Sequence, residues 1–120
     1  MPTILIADDT ASEAALMASV VEKLGHVSQT VSDGETCIST AKTLKPALIL
    51  LDVVMPKMDG FKTCRNIRKD PDLAKTPVIM VTSKNQDSDK FWGEKQGANR
   101  YITKPFTPES LAEAIKAFVP

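Results

Sequence analysis

The chain has 120 residues, and its 15 Lys and Arg balance 15 Asp and Glu, leaving no formal net charge. This length suits one domain with a sizeable core, and the charge balance argues against a broad electrostatic footprint for nucleic acid or an anionic membrane. The two cysteines, Cys37 and Cys64, form no CxxC pair and read as small buried thiols of a cytosolic protein.

The first apolar run is TILIA (3–7), preceded by Met-Pro. With no basic leader and no apolar stretch long enough for a bilayer, neither a signal peptide nor a membrane anchor is expected. After Thr3 the run is continuously apolar, like ALILL (47–51) and PVIMV (77–81). Strands buried on both faces have this pattern, and parallel strands in layered proteins are the usual case. The first strand ends at Asp8 and Asp9. Thr10-Ala11-Ser12-Glu13 then has the pattern of a capping box. Leu16, Met17, Val20, Val21 and Leu24 follow as one helical stripe, and Gly25 is the expected stop.

HVSQTV (26–31) alternates apolar and polar residues and reads as an edge strand. Ser32-Asp33-Gly34-Glu35 repeats the capping logic before a second helix carrying Cys37, Ile38, Ala41 and Leu44. The third strand, ALILL, runs into Asp52. A third helix is expected from about Gly60, with Phe61, Cys64 and Ile67 on its apolar side. The fourth strand ends at Thr82 and Ser83. The fourth helix should span about 87–96, with Gly97 as its stop. Its neighbours Phe91 and Trp92 point in different directions, so one is expected in the core and the other as a contact anchor. Core packing is the plainer expectation for each taken alone. NRYIT (99–103) is a short, mixed edge strand leading to Lys104 and Pro105. The last helix opens Thr107-Pro108, a cap followed by proline at the first helical position. It should bury Leu111, Ala114, Ile115 and Phe118.

Five strand–helix units in a row predict an α/β fold, a single doubly wound (βα)5 domain over residues 1–120. Central first, third and fourth strands with edge second and fifth strands give a flavodoxin-like parallel sheet of order 2-1-3-4-5. The carboxyl ends of the strands then bring Asp8, Asp9, Asp52, Thr82 and Lys104 to one rim. Carboxylates about 4 Å apart repel by roughly 4 kcal/mol per pair at an effective dielectric near 20, so a cation is expected there. An oxygen-only donor set suits Mg²⁺. Metal and Lys104 together would attract a phosphoryl group, making Asp52 a candidate nucleophile. Each residue alone has a plainer reading, as a turn Asp, an acid at a helix N-terminus or a surface Lys. Their combination at four strand ends carries the signal.

The segments ILIADDT (4–10), LILLDVVMPKMDG (48–60), PVIMVTSK (77–84) and YITKPF (101–106) resemble the response-regulator receiver domain of bacterial two-component signalling. The resemblance implies that Asp52 accepts a phosphoryl group from a histidine kinase or phosphotransfer domain. It implies Mg²⁺ held by Asp9 directly, Asp8 through water, Asp52, and the backbone carbonyl of Val54. Lys104 would pair with the phosphoryl oxygens, Thr82 would swing to bond them, and Tyr101 would move inward as an aromatic switch. Pro105 would follow a cis peptide. TSKNQDSDKFWGEKQGANRYITKP (82–105) is similar, more narrowly, to single-domain regulators of the PilH type from type IV pilus motility systems. A non-enzymatic cytoplasmic switch follows, with no nucleic-acid or membrane partner. It would meet a downstream protein through the fourth helix, fifth strand and fifth helix. A phosphate sink and a phosphorylation-independent interaction module are the alternatives. A flavin site would need a glycine- and hydroxyl-rich cradle where ADDT stands. A dehalogenase-like phosphatase would need a second Asp where Val54 stands.

Overall fold

The structure is a computed structural model that describes residues 1–120. Strands β1 (Thr3–Ala7), β2 (Val27–Val31), β3 (Leu48–Leu51), β4 (Val78–Thr82) and β5 (Arg100–Thr103) alternate with helices α1 (Ala11–Lys23), α2 (Gly34–Leu44), α3 (Gly60–Lys69), α4 (Asp87–Lys95) and α5 (Pro108–Phe118). The strands form one parallel sheet in the order β2-β1-β3-β4-β5, as expected. Every residue of β3 and β4 is buried, whereas β2 and β5 are largely open at the edges.

Successive strand residues face opposite sides, so each all-apolar strand feeds two cores. Ile4, Ile6, Leu48, Leu50, Ile79 and Val81 pack against Met17, Val20 and Val21 of α1 and Leu111, Ala114 and Ile115 of α5. Leu5, Ala7, Ile49, Leu51, Val78 and Met80 pack against Cys37 and Ala41 of α2 and Cys64 and Ile67 of α3. Both thiols are free and buried, and burial pushes Cys37 up to about 12 and Cys64 up to about 11.

Thr10 is the N-cap of α1, but its side chain makes no cap hydrogen bond, so the capping box does not form. Leu16 is 44 % exposed rather than part of the buried stripe. Phe118 is only half-buried and lies under the Arg100 guanidinium, while Val119 is buried in its place at the end of α5. Phe91 and Trp92 both face outward, 60 % and 49 % exposed. The buried residue of α4 is Gly93. A Cβ there would lie 2.9 Å from Met80 Sδ and 3.0 Å from the Tyr101 ring. The helix therefore sits against the sheet at its glycine, which turns its two aromatics away.

The cap of α2 is Asp33 rather than Ser32. Its Oδ1 accepts from the Thr36 amide at 2.8 Å, and this bond holds the carboxyl below its ordinary value of 3.8. A carboxyl lowered by folding contributes stability above its unfolded value, and loses it as pH falls through the folded one. Asn caps a helix about as well as Asp without titrating. Asp33→Asn is therefore expected to leave neutral-pH stability nearly unchanged and to flatten the acid limb of the stability–pH curve below 3.8. Urea titrations from neutral pH into the acid range check this.

Candidate functional site

β1 and β3 are paired neighbours, with Ala7 opposite Leu51. The residues just beyond their ends therefore lie side by side. The Asp52 amide donates to the Ala7 carbonyl at 2.9 Å, and the Asp8 amide donates to the Val31 carbonyl at 3.0 Å. Both carboxylates are thus set by the sheet's own ladder. Asp8 and Asp52 are buried and Asp9 is exposed. One carboxylate oxygen from each of the three lies within 4.8 Å of the others.

Asp52 is tied at both oxygens. Oδ1 accepts from the Val53 amide at 2.7 Å and the Val54 amide at 3.3 Å, and Oδ2 accepts from Lys104 at 3.1 Å. Lys104 arrives because its amide donates to the Thr82 carbonyl at 2.8 Å, one step past the paired ends of β4 and β5. Its Nζ also reaches Asp8 Oδ2 at 2.8 Å and Glu13 Oε1 at 2.6 Å. Burial alone would lower the Lys104 pKa. The bonds to Asp8 and Glu13 and the charge of Asp52 outweigh it and hold the ammonium above its ordinary value. Asp8 goes the other way: burial dominates and raises its carboxyl despite the Lys104 bond.

Glu13 is a member that sequence reasoning assigned elsewhere. A reciprocal cap is worth about 1 kcal/mol, and a hydrogen bond between charged groups about 1.5–3 kcal/mol before any discount for exposure. The carboxylate accordingly goes to Lys104 and the cap is left unmade. No local signal pairs Glu13 with Lys104, because the two meet only through the fold.

The remaining candidates lie around this cluster. Thr82 is fully buried, and its Oγ1 accepts from the Lys84 amide at 3.4 Å. The Tyr101 hydroxyl donates to the carbonyl of the same Lys84 at 2.8 Å. Burial, followed by the charges of Asp89 and Asp52, pushes this hydroxyl up to about 12. The Lys104–Pro105 peptide is cis. A cleft of about 570 Å³ opens over the carboxylates, with Leu16, Val54 and Phe106 as its apolar walls.

The donor set fits Mg²⁺. It is all oxygen, it comes from separate strand ends, and three carboxylates share one ammonium while Asp9 adds a fourth negative charge beside them, which leaves negative charge for a divalent ion to offset.

Residues 4–116 match the family model of the response regulator receiver domain. The chain is 40 % identical over 117 residues to protein PilH of Pseudomonas aeruginosa, covering 98 % of this chain and 97 % of that protein. It is 39 % identical over 116 residues to the alkaline phosphatase synthesis transcriptional regulatory protein PhoP of Bacillus subtilis, covering 97 % of this chain. The chain spans about half the length of PhoP and of the other transcriptional regulators among its curated relatives. Among solved structures, the chemotaxis protein CheY4 of Vibrio cholerae superposes with a TM-score of 0.91 at 28 % identity, covering 98 % of each chain.

Proposed function

Because the chain belongs to the response-regulator receiver domain family, we propose that Asp52 is its phosphoacceptor, loaded by a histidine kinase or phosphotransfer domain in a Mg²⁺-dependent reaction. The observation that carries this reading is the convergence of Asp8, Asp9, Asp52 and Lys104 at the ends of three strands. Transfer from a phosphohistidine forms a bond between phosphorus and an Asp52 carboxylate oxygen as the P–N bond breaks. The bonding pair leaves with the ring nitrogen, which takes a proton from solvent and departs as imidazole. The two backbone amides on Oδ1 and the ammonium on Oδ2 orient the attacking carboxylate. Asp8, Asp9, Asp52 and the Val54 carbonyl would hold the ion. When bound, Mg²⁺ would act as a Lewis acid that neutralises the phosphoryl oxygens.

The acyl phosphate adds nearly two negative charges and three acceptor oxygens. In this proposal the Thr82 hydroxyl leaves the Lys84 amide for a phosphoryl oxygen. Tyr101 follows because it holds the other side of Lys84 through that residue's carbonyl. The output face is then α4, β5 and α5, where Phe91 and Trp92 stand exposed. The PilH relative extends the proposal to a cytoplasmic switch in pilus-driven motility or taxis. No helix is long and apolar enough to cross a membrane.

The test is intact-mass measurement after incubation with acetyl phosphate and Mg²⁺. One phosphoryl group should add to the wild type, none should add to Asp52→Asn, and chelation should abolish the gain. A phosphoryl group retained in Asp52→Asn would remove Asp52 as the acceptor. An unmodified wild type would favour a phosphorylation-independent interaction module.

A further inference from the structure

The Lys104 ammonium donates to Asp8 at 2.8 Å and to Asp52 at 3.1 Å, and a third carboxylate, Glu13, is ion-paired with it at 2.6 Å. An ammonium enclosed by three carboxylates cannot meet a phosphoryl oxygen without giving up a partner. Asp8 is a poor one to abandon. Its side chain is fully buried, and water cannot replace the lost bond. Asp52 becomes the acyl phosphate itself. Glu13 differs from both. It sits on the first turn of α1 at the wall of the cleft, and its side chain is 39 % exposed. Water can solvate its carboxylate once Lys104 turns away.

We propose that Glu13 is a positioning residue that holds Lys104 in the resting protein and surrenders it to the phosphoryl group. The ease of that handover sets how readily Asp52 is loaded. Two features of its placement point the same way. The contact with Lys104 is the shortest of the three. The carboxylate also leaves the helix cap that its place in Thr10-Ala11-Ser12-Glu13 offers. Glu13 therefore competes with the incoming group on two counts, by taking a place beside the ammonium and by adding negative charge near the site of attack. With acetyl phosphate as donor, the new bond joins phosphorus to Asp52. The P–O bond to the acetyl group breaks, and acetate leaves with the bonding pair.

The inference rests on Asp52 being the phosphoacceptor, and the experiment separates the two. Glu13→Gln keeps the shape and an acceptor oxygen but loses the charge. Beryllofluoride, a tetrahedral anionic mimic of the phosphoryl group, is titrated by calorimetry into wild type and Glu13→Gln with Mg²⁺ present. Loading by acetyl phosphate is followed in parallel by intact mass. The variant is expected to bind beryllofluoride about five- to tenfold tighter and to load correspondingly faster, the size of one charge-assisted bond discounted for exposure. The gain should persist in about 1 M salt, where the screening length is about 3 Å and only direct contacts survive. Equal binding and loading in the two proteins would overturn the role of Glu13 alone. A gain that disappears in high salt would assign it to the general field of the cleft and overturn action through Lys104. A wild type that takes up neither probe would overturn the phosphoacceptor reading, and this one with it.

Discussion

Gly60→Ala is expected to weaken both the fold and the site, because the strand tip that carries Asp52 rests on this glycine. A Cβ built on Gly60 would lie 2.7 Å from Val53 Cα and 2.9 Å from the Asp52 carbonyl carbon. Both atoms belong to backbone, which cannot rotate aside as a side chain would. The amide of Gly60 also donates to the Val53 carbonyl at 2.7 Å, pinning the start of α3 to the loop after Asp52. Relief therefore requires the helix or the loop to move. Overpacking of this kind costs about 1–3 kcal/mol, and contact with backbone places it at the upper end. Displacing the loop also withdraws the Val53 and Val54 amides from Asp52 Oδ1. Urea unfolding should show the loss of stability, and Mg²⁺ titration of the folded variant should show weaker binding. Gly25→Ala is the control. Gly25 has φ of 87° and nothing within 4 Å of a built Cβ. Its cost is left-handed backbone strain alone, about 1–2 kcal/mol, with Mg²⁺ binding unchanged.

Lys104→Ala removes the one ammonium that Asp8, Asp52 and Glu13 share. Removing one partner of a buried ion pair costs about 3–5 kcal/mol, because the other charge stays behind without compensation. The lower end applies here, since Glu13 can turn to water. The sign of the pH dependence follows from Asp8. Burial already raises its carboxyl above 3.8, and loss of Lys104 raises it further. A carboxyl raised by folding costs stability above its folded value, and the cost fades as pH falls below it. The defect of Lys104→Ala should accordingly shrink in acid. The raised Lys104 contributes the opposite way. Its stabilisation is fully present below 10.5 and lost only as pH rises through the higher folded value, so it is constant near neutrality. Mg²⁺ should rescue the variant more than it stabilises the wild type, because the ion meets a larger uncompensated charge. A ligand at a hundredfold excess over its Kd stabilises by about 2.7 kcal/mol. Thermal unfolding with and without Mg²⁺, at neutral and acid pH, measures all three effects. Equal Mg²⁺ stabilisation of the two proteins would separate the ion from the carboxylates that Lys104 serves.

The architecture was legible in local patterns. ILIA within TILIA, ALILL and PVIMV are continuously apolar, as strands of a sheet covered on both faces are. HVSQTV and NRYIT lack that pattern and stand at the edges. Given the strand order, the convergence of Asp8, Asp52 and Lys104 was legible too, because parallel strands place their carboxyl ends along one rim.

Glu13 and the two aromatics of α4 were not legible. The local pattern around Glu13 offers a cap, and nothing in residues 10–13 reveals an ammonium contributed by Lys104, 91 positions later in the chain. The stripe containing Leu16 shows which residues are apolar, but not where the sheet ends and the cleft begins. Phe91 and Trp92 look like core by residue type. They are outside because Gly93 takes the contact with Met80 and Tyr101, and that choice depends on how closely α4 approaches β4 and β5. The sequence alone determined the elements, their order and the acidic strand ends, since these follow from residue periodicity and the rules of parallel sheets. The tertiary structure alone decided which acceptors Lys104 serves and which side of α4 faces out, since both depend on distances between segments remote in the chain.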